Sequence, residues 1–278
     1  MCVSPRRSTT RRAEARTSCA LPIVRRAAHP PLDARPSKSA EGESFLDYCQ
    51  RIGTSLEELE GEFATQAGEP SGLVRVASST VIAQHLLVPS MPGLPRRHPH
   101  LRMELEVSDR LADMARDGID IAIRTGTSVP ATMVARQIGT LGRALYAAPA
   151  YLRDAGTPQR PDELAQHRLV TNSAAPHYNH WPFIVDGEPL TLSMQGHWRC
   201  SDTGVVVTMV VQGLGVGRLA TLVGEPLVRD GRLVPVLPAR VDTQPVPIYA
   251  VTAPTRQRLP KIRACIEHWA EWIGSAAS

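Results

Sequence analysis

The chain has 278 residues, 42% of them hydrophobic and 4% aromatic, with a formal net charge of +4. This length and apolar content suit two compact α/β lobes of ordinary size, and no apolar run approaches the roughly 20 residues of a membrane-spanning helix. The charge is uneven: residues 1–42 hold nine Lys or Arg against three Asp or Glu, so the remainder carries −2 and has no overall basic bias toward nucleic acid.

Residues 1–42 are rich in Arg, Ala, Pro and Ser and lack apolar periodicity, which predicts a disordered basic tail. The stretch Ala20–Val24 is too short for a signal-peptide core, and no apolar segment follows Arg6-Arg7 to complete a twin-arginine signal; a transit peptide fits the composition better, and an unstructured tail fits it best. Cys2, Cys19, Cys49, Cys200 and Cys265 are odd in number and without CxxC spacing. That argues against a disulfide framework and a zinc site, and for a reducing, cytoplasmic compartment.

Over 43–66 the periodicity changes. Phe45, Cys49, Ile52, Leu56, Leu59 and Phe63 form an a/d seam, with Glu57, Glu58, Glu60 and Glu62 between its later members. The spacing predicts an amphipathic helix that lies on its own domain or pairs with a second chain; Gly53 and Gly61 weaken it. Residues 66–71 read as a linker with turn chemistry.

The stretch 72–126 organises the rest. A buried strand around Leu73, Val74 and Val76 leads into Ser78-Ser79-Thr80, which can cap a helix over 81–91. Apolar Leu101, Met103, Leu105 and Val107 alternate with charged residues as a second strand. Leu111, Met114 and Ala115 predict a helix ending at Gly118, and 119–124 a third strand. Strand, helix, strand, helix, strand implies a parallel α/β sheet, with ligands beyond the carboxyl ends of its strands. Two such ends are Ser78-Ser79-Thr80 and Arg124-Thr125-Gly126: hydroxyls, backbone N–H groups and a cation, with no nucleophile beside a base.

Further strands are expected over 143–148, 168–171, 196–202 and 245–251, with a hairpin around Asp186-Gly187. Helices are expected after Pro149, after Pro161, over 203–213 and over 259–273. Thr171-Asn172 and Ser201-Asp202 follow second-half strands and can meet a ligand from the other side, although turns favour the same residues. His177 and His180 are half of a metal site at most, and a surface loop explains them. Arg218 takes the place of the third glycine in a GxGxxG reading of 213–218, so a dinucleotide site is not expected. No catalytic constellation, metal site or cofactor motif is found.

Seven phrases in order resemble the LysR-type transcriptional regulators of bacteria: GLVRV (72–76), HPHLRMEL (98–105), DGIDIAIRTG (117–126), APAYL (148–152), PDELAQH (161–167), GLGVG (213–217) and GRLVPVL (231–237). The resemblance covers about 41–274. It implies a two-lobed type 2 periplasmic-binding-protein-like domain behind a linker helix. The first lobe is then 72–142 plus 246–275, the second 143–245, and the linker and dimerisation helix 43–68. It also implies a non-enzyme that senses a small organic anion, a carboxylate, and forms a homodimer or higher homo-oligomer. Ser78, Ser79, Thr80, Arg124, Thr125, Thr171, Asn172, Ser201 and Asp202 become candidate effector contacts.

Three departures from the family pattern accompany the match. No helix-turn-helix pattern precedes the seam, which suggests a truncated, mis-started or frameshifted DNA-binding region, so DNA contact is expected only if that domain is restored. Pro92 and Pro95 fall where the first helix of the lobe should continue and are expected to break it. Ala220 stands where the family usually has a proline. Alternative readings are a solute receptor of the same fold and a dimerising fragment that blocks a full-length relative.

If the seam is an interface, the wild type should sediment as a dimer at tens of micromolar, roughly the range of marginal association. Leu56→Asp with Leu59→Asp should then sediment lighter. A monomeric wild type reduces the seam to a local amphipathic face.

Overall fold

The structure is a computed structural model that describes residues 69–126 and 129–276, together with Gly42, Phe45, Tyr48, Cys49, Ile52 and Gly53. The chain divides into two compact units, Met1–Ser44 and Phe45–Ser278, and all the sheets belong to the second. Of the seam, Phe45, Cys49 and Ile52 are helical and exposed, as is Tyr48 between them. Leu56, Leu59, Phe63 and the basic tail over 1–41 lie outside the described residues.

Two five-stranded sheets form the two lobes. The first has the order β2-β1-β3-β12-β4, built from β1 (Gly72–Ser78), β2 (Leu101–Val107), β3 (Ile121–Thr125), β4 (Val134–Leu141) and β12 (Val246–Thr252). β1 runs parallel to β2 and β3, and β12 runs antiparallel to β3 and β4. Val74, Val76, Ile121 and Ile248 are fully buried in its core. The C-terminal helix Pro260–Ala276 adds Ile262, Cys265, Ile266, Trp269 and Ile273 to the same core. Burying each of the larger of these side chains stabilises the lobe by about 1.5–3 kcal/mol.

The second sheet has the order β11-β5-β10-β6-β9, from β5 (Arg143–Ala147), β6 (Leu169–Asn172), β9 (Trp198–Cys200), β10 (Val216–Ala220) and β11 (Val234–Val236). Beside it lies the hairpin of β7 (His180–Val185) and β8 (Glu188–Ser193), turned at Asp186 and Gly187. Both turn residues have positive φ, 53° and 87°, as a type I′ turn requires. The chain passes between sheets twice, from β4 to β5 through Gly142 and from β11 to β12. At Gly142 the carbonyl accepts the Thr221 N–H at 3.0 Å and its hydroxyl at 3.3 Å, which ties the crossing to the start of helix Thr221–Arg229.

Two expectations need correction. No helix forms between β2 and β3: 108–120 is a loop containing one helical turn, closed by the bond from Asp117 N–H to the Asp113 carbonyl. The Asp117 carboxylate accepts from Asp113 N–H and the Asp113 carboxylate from Arg116 N–H, so the side chains satisfy backbone groups locally and compete with helix propagation. Gly118, at φ 67°, ends that turn, and Ile119 N–H reaches back to the Met114 carbonyl as in a Schellman cap.

Nor do the prolines break the first helix, which runs through 80–97. It changes hydrogen-bond pattern along the way: Thr80–Ile82 is α, Ala83–Leu87 π, Val88–Ser90 α, Met91–Gly93 3₁₀ and Leu94–Arg97 α. Pro89, Pro92 and Pro95 each fall in the first two positions of one of these segments, where proline's fixed φ suits the opening of a new helical turn. The wider π and tighter 3₁₀ turns absorb the shift.

Gly215 precedes β10 where that strand meets β6, and Val216 N–H bonds the Arg168 carbonyl at 2.9 Å. A Cβ at Gly215 would overlap that same carbonyl oxygen. Backbone cannot step aside as a side chain can, so Gly215→Ala should cost about 1–3 kcal/mol of stability. Chemical denaturation should show the loss; a wild-type midpoint would mean that β6 and β10 are not pressed together here.

Candidate functional site

The carboxyl end of β1 delivers Ser78, and Ser79 (φ −70°, ψ 156°) turns the chain into the first helix. The end of β3 delivers Arg124 and Thr125. From the second lobe come Arg143 at the start of β5, Tyr178 in the 3₁₀ turn Pro176–Asn179, Thr203 at the start of helix Thr203–Val211, and Arg218 in β10. These groups meet in a cleft between the two sheets.

Hydrogen bonds cross the cleft in both directions. Asp109, just after β2, accepts from Asn172 Nδ2 at 2.7 Å and from the Thr203 hydroxyl at 3.1 Å. The Thr80 hydroxyl donates to the Asp202 carboxylate. The Thr125 and Tyr178 hydroxyls lie 3.2 Å apart, and Arg143 Nη2 donates to Thr125 Oγ1 at 3.3 Å. The Arg143 guanidinium also sits 4.0 Å over the Tyr178 ring, a cation–π contact that holds both side chains.

Two adjoining cavities lie among these groups. The outer one, about 460 Å³, is lined by Ser78, Ser79, Ser108, Asp109, Arg110, Arg124, Thr125, Gly126, His177 and Tyr178 among others. The inner chamber, about 30 Å³, is lined by Ser79, Arg143, Tyr178, Thr203 and Arg218 on walls of Val81, Ile82, Leu141, Val206, Val207, Leu219 and Ala220. Ser79, Ile82 and Tyr178 belong to both linings.

The electrostatics are those of a site short of acceptors. Buried Ser78 Oγ, Arg124 Nε and Arg218 Nε have no hydrogen-bond partner. Among the described residues no carboxylate pairs with Arg124, Arg143 or Arg218. Burial, reinforced by repulsion from Arg143 and opposed by Asp242, pushes Arg218 down to about 10. Burial alone lowers Arg124. His177 is lowered by burial, then by Arg143 and His180. No cluster of metal-ligating side chains occurs among the described residues.

The residues singled out from the sequence divide by location. Ser78, Ser79, Arg124 and Thr125 line the outer cavity. Thr80 and Asp202 bond each other, and Asp202 also caps its helix by accepting from Val205 N–H. Thr171 is buried and accepts from Gly196 N–H. Asn172 is a buried hub that accepts from Ala174 and Ala175 N–H and donates to Asp109. Ser201 is exposed and lines neither cavity. Asp109, Arg143, Tyr178, Thr203 and Arg218 escaped sequence reasoning. Arg218 alone carried a signal, a cation inside the apolar strand VGRLA; Tyr178 hid in a loop whose histidines drew attention instead.

A family model described as the LysR substrate binding domain matches residues 67–274. An HTH-type transcriptional repressor of Pseudomonas aeruginosa is 27% identical over 235 residues, 84% of this chain and 74% of that protein. The HTH-type transcriptional activator TtdR of Escherichia coli K12 is 28% identical over 232 residues, 83% of this chain and 74% of that protein. Among solved structures, the regulatory domain of CrgA, a LysR-type transcriptional regulator from Neisseria meningitidis, superposes with a TM-score of 0.68 at 25% identity, covering 74% of this chain and all of that one.

The cross-cleft carboxylate makes a pH prediction. Burial raises the Asp109 carboxyl above its ordinary value, partly opposed by the bonds from Asn172 and Thr203. The fold therefore penalises the ionised form, and the penalty fades as pH falls below the folded-state value toward that of an unfolded aspartate. Asp109→Asn removes the charge. Its stability relative to the wild type should be greatest near about pH 7 and should decline toward about pH 4. Urea midpoints of both proteins across that range test this; a difference that stays constant with pH would exclude an ionised Asp109 as the source.

Proposed function

The chain belongs to the LysR substrate-binding-domain family, and on that premise we propose that its cleft senses a small organic anion, a carboxylate, and that binding alters transcription. The observation that carries this reading is the outer cavity of about 460 Å³, whose lining includes Ser78 and Arg124, each with a buried donor atom that has no partner. An unmet buried donor costs about 1–3 kcal/mol. An anion that accepts from such groups recovers that cost and is favoured over water. Ser78, Ser79, Arg124 and Thr125 are the contacts. Thr80, Asn172 and Asp202 act one step back, by holding the lobes in register around the ligand. Thr171 and Ser201 are not among the proposed contacts, since neither lines a cavity.

The curated relatives are named as transcriptional regulators, one a repressor and one an activator. A regulatory role thus extends to this chain, with neither sign of control favoured. The family forms oligomers, and the exposed apolar face at Phe45, Tyr48 and Ile52 suits a homodimer. Operator recognition is assigned only to a chain in which a helix-turn-helix precedes that face. A transport receptor of the same fold is the weaker alternative, because the curated matches named above are regulators.

A thermal-shift screen of small carboxylates should find a stabilising ligand, and calorimetry should then separate the contacts. Ser78→Ala should weaken binding by roughly two- to tenfold, the worth of one neutral hydrogen bond, and Arg124→Gln by roughly ten- to a hundredfold. Ser78→Ala should melt no lower than the wild type, since it deletes a partnerless hydroxyl. Unchanged affinity in both variants, with wild-type melting, would sink the assignment of the outer cavity.

A further inference from the structure

We propose that Arg143 and Arg218 form a second, inner anion subsite behind Tyr178. It takes one terminal carboxylate, while the body of the same molecule fills the outer cavity. This rests on the reading of the cleft as an effector site and adds which part of the effector goes where.

Three observations converge on it. Two guanidiniums line one small chamber, neither forms a salt bridge among the described residues although Asp242 acts on Arg218 from a distance, and Arg218 has a buried Nε that bonds nothing. Two like charges held close together in a partly apolar chamber repel each other, and an anion between them offsets that cost. The chamber's volume, about 30 Å³, admits about two water-sized centres. A planar carboxylate can place its two oxygens at those two centres, whereas a tetrahedral oxyanion carries four oxygens. Finally, Arg143 is oriented in advance. It stacks on Tyr178 and spends one N–H on Thr125, which leaves donors free to fork a carboxylate.

Ser79 and Tyr178 line both spaces, so a ligand passes between them to place its head inward. The Tyr178 hydroxyl, 3.2 Å from Thr125 Oγ1, is a contact across the lobes that such a ligand rearranges or reinforces. The depressed pKa of Arg218 agrees with a cation awaiting its counter-charge.

The test uses formate and acetate as probes that fit the chamber without an outer-cavity body. Melting curves of the full chain are taken in sodium formate, acetate, sulfate and chloride at matched ionic strength. Formate and acetate should raise the melting temperature of the wild type saturably above chloride, and sulfate should not. Arg143→Gln and Arg218→Met should lose that response, while Arg153→Gln, an exposed cation outside both linings, should keep it. Arg218→Met should also melt at or above the wild type in chloride. If Arg218→Met does not fold, Arg143→Gln decides alone.

No formate response in the wild type, an equal response to sulfate, or a response that survives Arg143→Gln overturns the subsite. A larger carboxylate whose affinity falls with Arg124→Gln but not with Arg143→Gln does so too, and leaves the outer-cavity reading standing. Formate stabilisation that depends on Arg143, with no larger carboxylate binding, supports the subsite and removes the effector reading instead.

Discussion

Carboxylates on each side of the cleft, Asp109 buried and Asp202 half-buried, take donors from the other side. Asp109 belongs to the first lobe and is satisfied by Asn172 and Thr203 of the second. Asp202 belongs to the second and accepts from Thr80 of the first. Thr203 serves twice, since its oxygen also lies 3.4 Å from Val81 N–H. A buried carboxylate without donors is expensive. The relative placement of the lobes and the satisfaction of these groups are therefore one event. Apolar contact adds to it: Ala220 and Val223, from the second lobe, are buried in the same cluster as Val81 and Ile82 of the first.

Consuming the acids in this way sets the sign of what is left. Asp109, the acid in the outer lining, is already bonded, whereas Arg124, Arg143 and Arg218 keep unused donors. These unused donors are what the proposed anion would engage, and the same contacts would couple its binding to conformation. A ligand shifts a two-state equilibrium only through contacts that differ between the states. Arg143, Thr125 and Tyr178 touch across the lobes, so an anion placed among them is bonded differently when the lobes move apart.

The first helix shows how tertiary packing overrides a local rule. Three prolines at three-residue spacing argue against a helix, yet Leu87, Ser90 and Leu94 are buried along it. The Ser90 hydroxyl bonds the Leu87 carbonyl, and the ring of buried His268 on the C-terminal helix lies 2.9 Å from the Ser90 carbonyl. The run survives by changing helix type rather than by ending. The opposite happens over 108–120, where the apolar spacing suits a helix. There, Asp113 and Asp117 cap a single turn, and Leu111 stays exposed.

Alternation in β2, the apolar runs of β1 and β3, the Asp186-Gly187 turn and the stripe of the C-terminal helix were all legible, because each is a local pattern with one structural solution. Strand-end placement likewise gave Ser78, Ser79, Arg124 and Thr125 as a donor-rich, nucleophile-free cluster. β4, β10 and β11 were not read as strands. β4 is largely exposed, so it lacks a strong apolar signature, and the strand VGRLA carries an arginine that local pattern cannot interpret. The partners of Asp109, the stacking of Arg143 on Tyr178 and the enclosure of Arg218 join residues tens of positions apart in the chain. The sequence by itself determined the elements that carry a strong local pattern and the polar character of the β1 and β3 ends. Only the tertiary structure decided which hydroxyls are spent on the other lobe and which cations are left without an acid, because both depend on what the second lobe brings across the cleft.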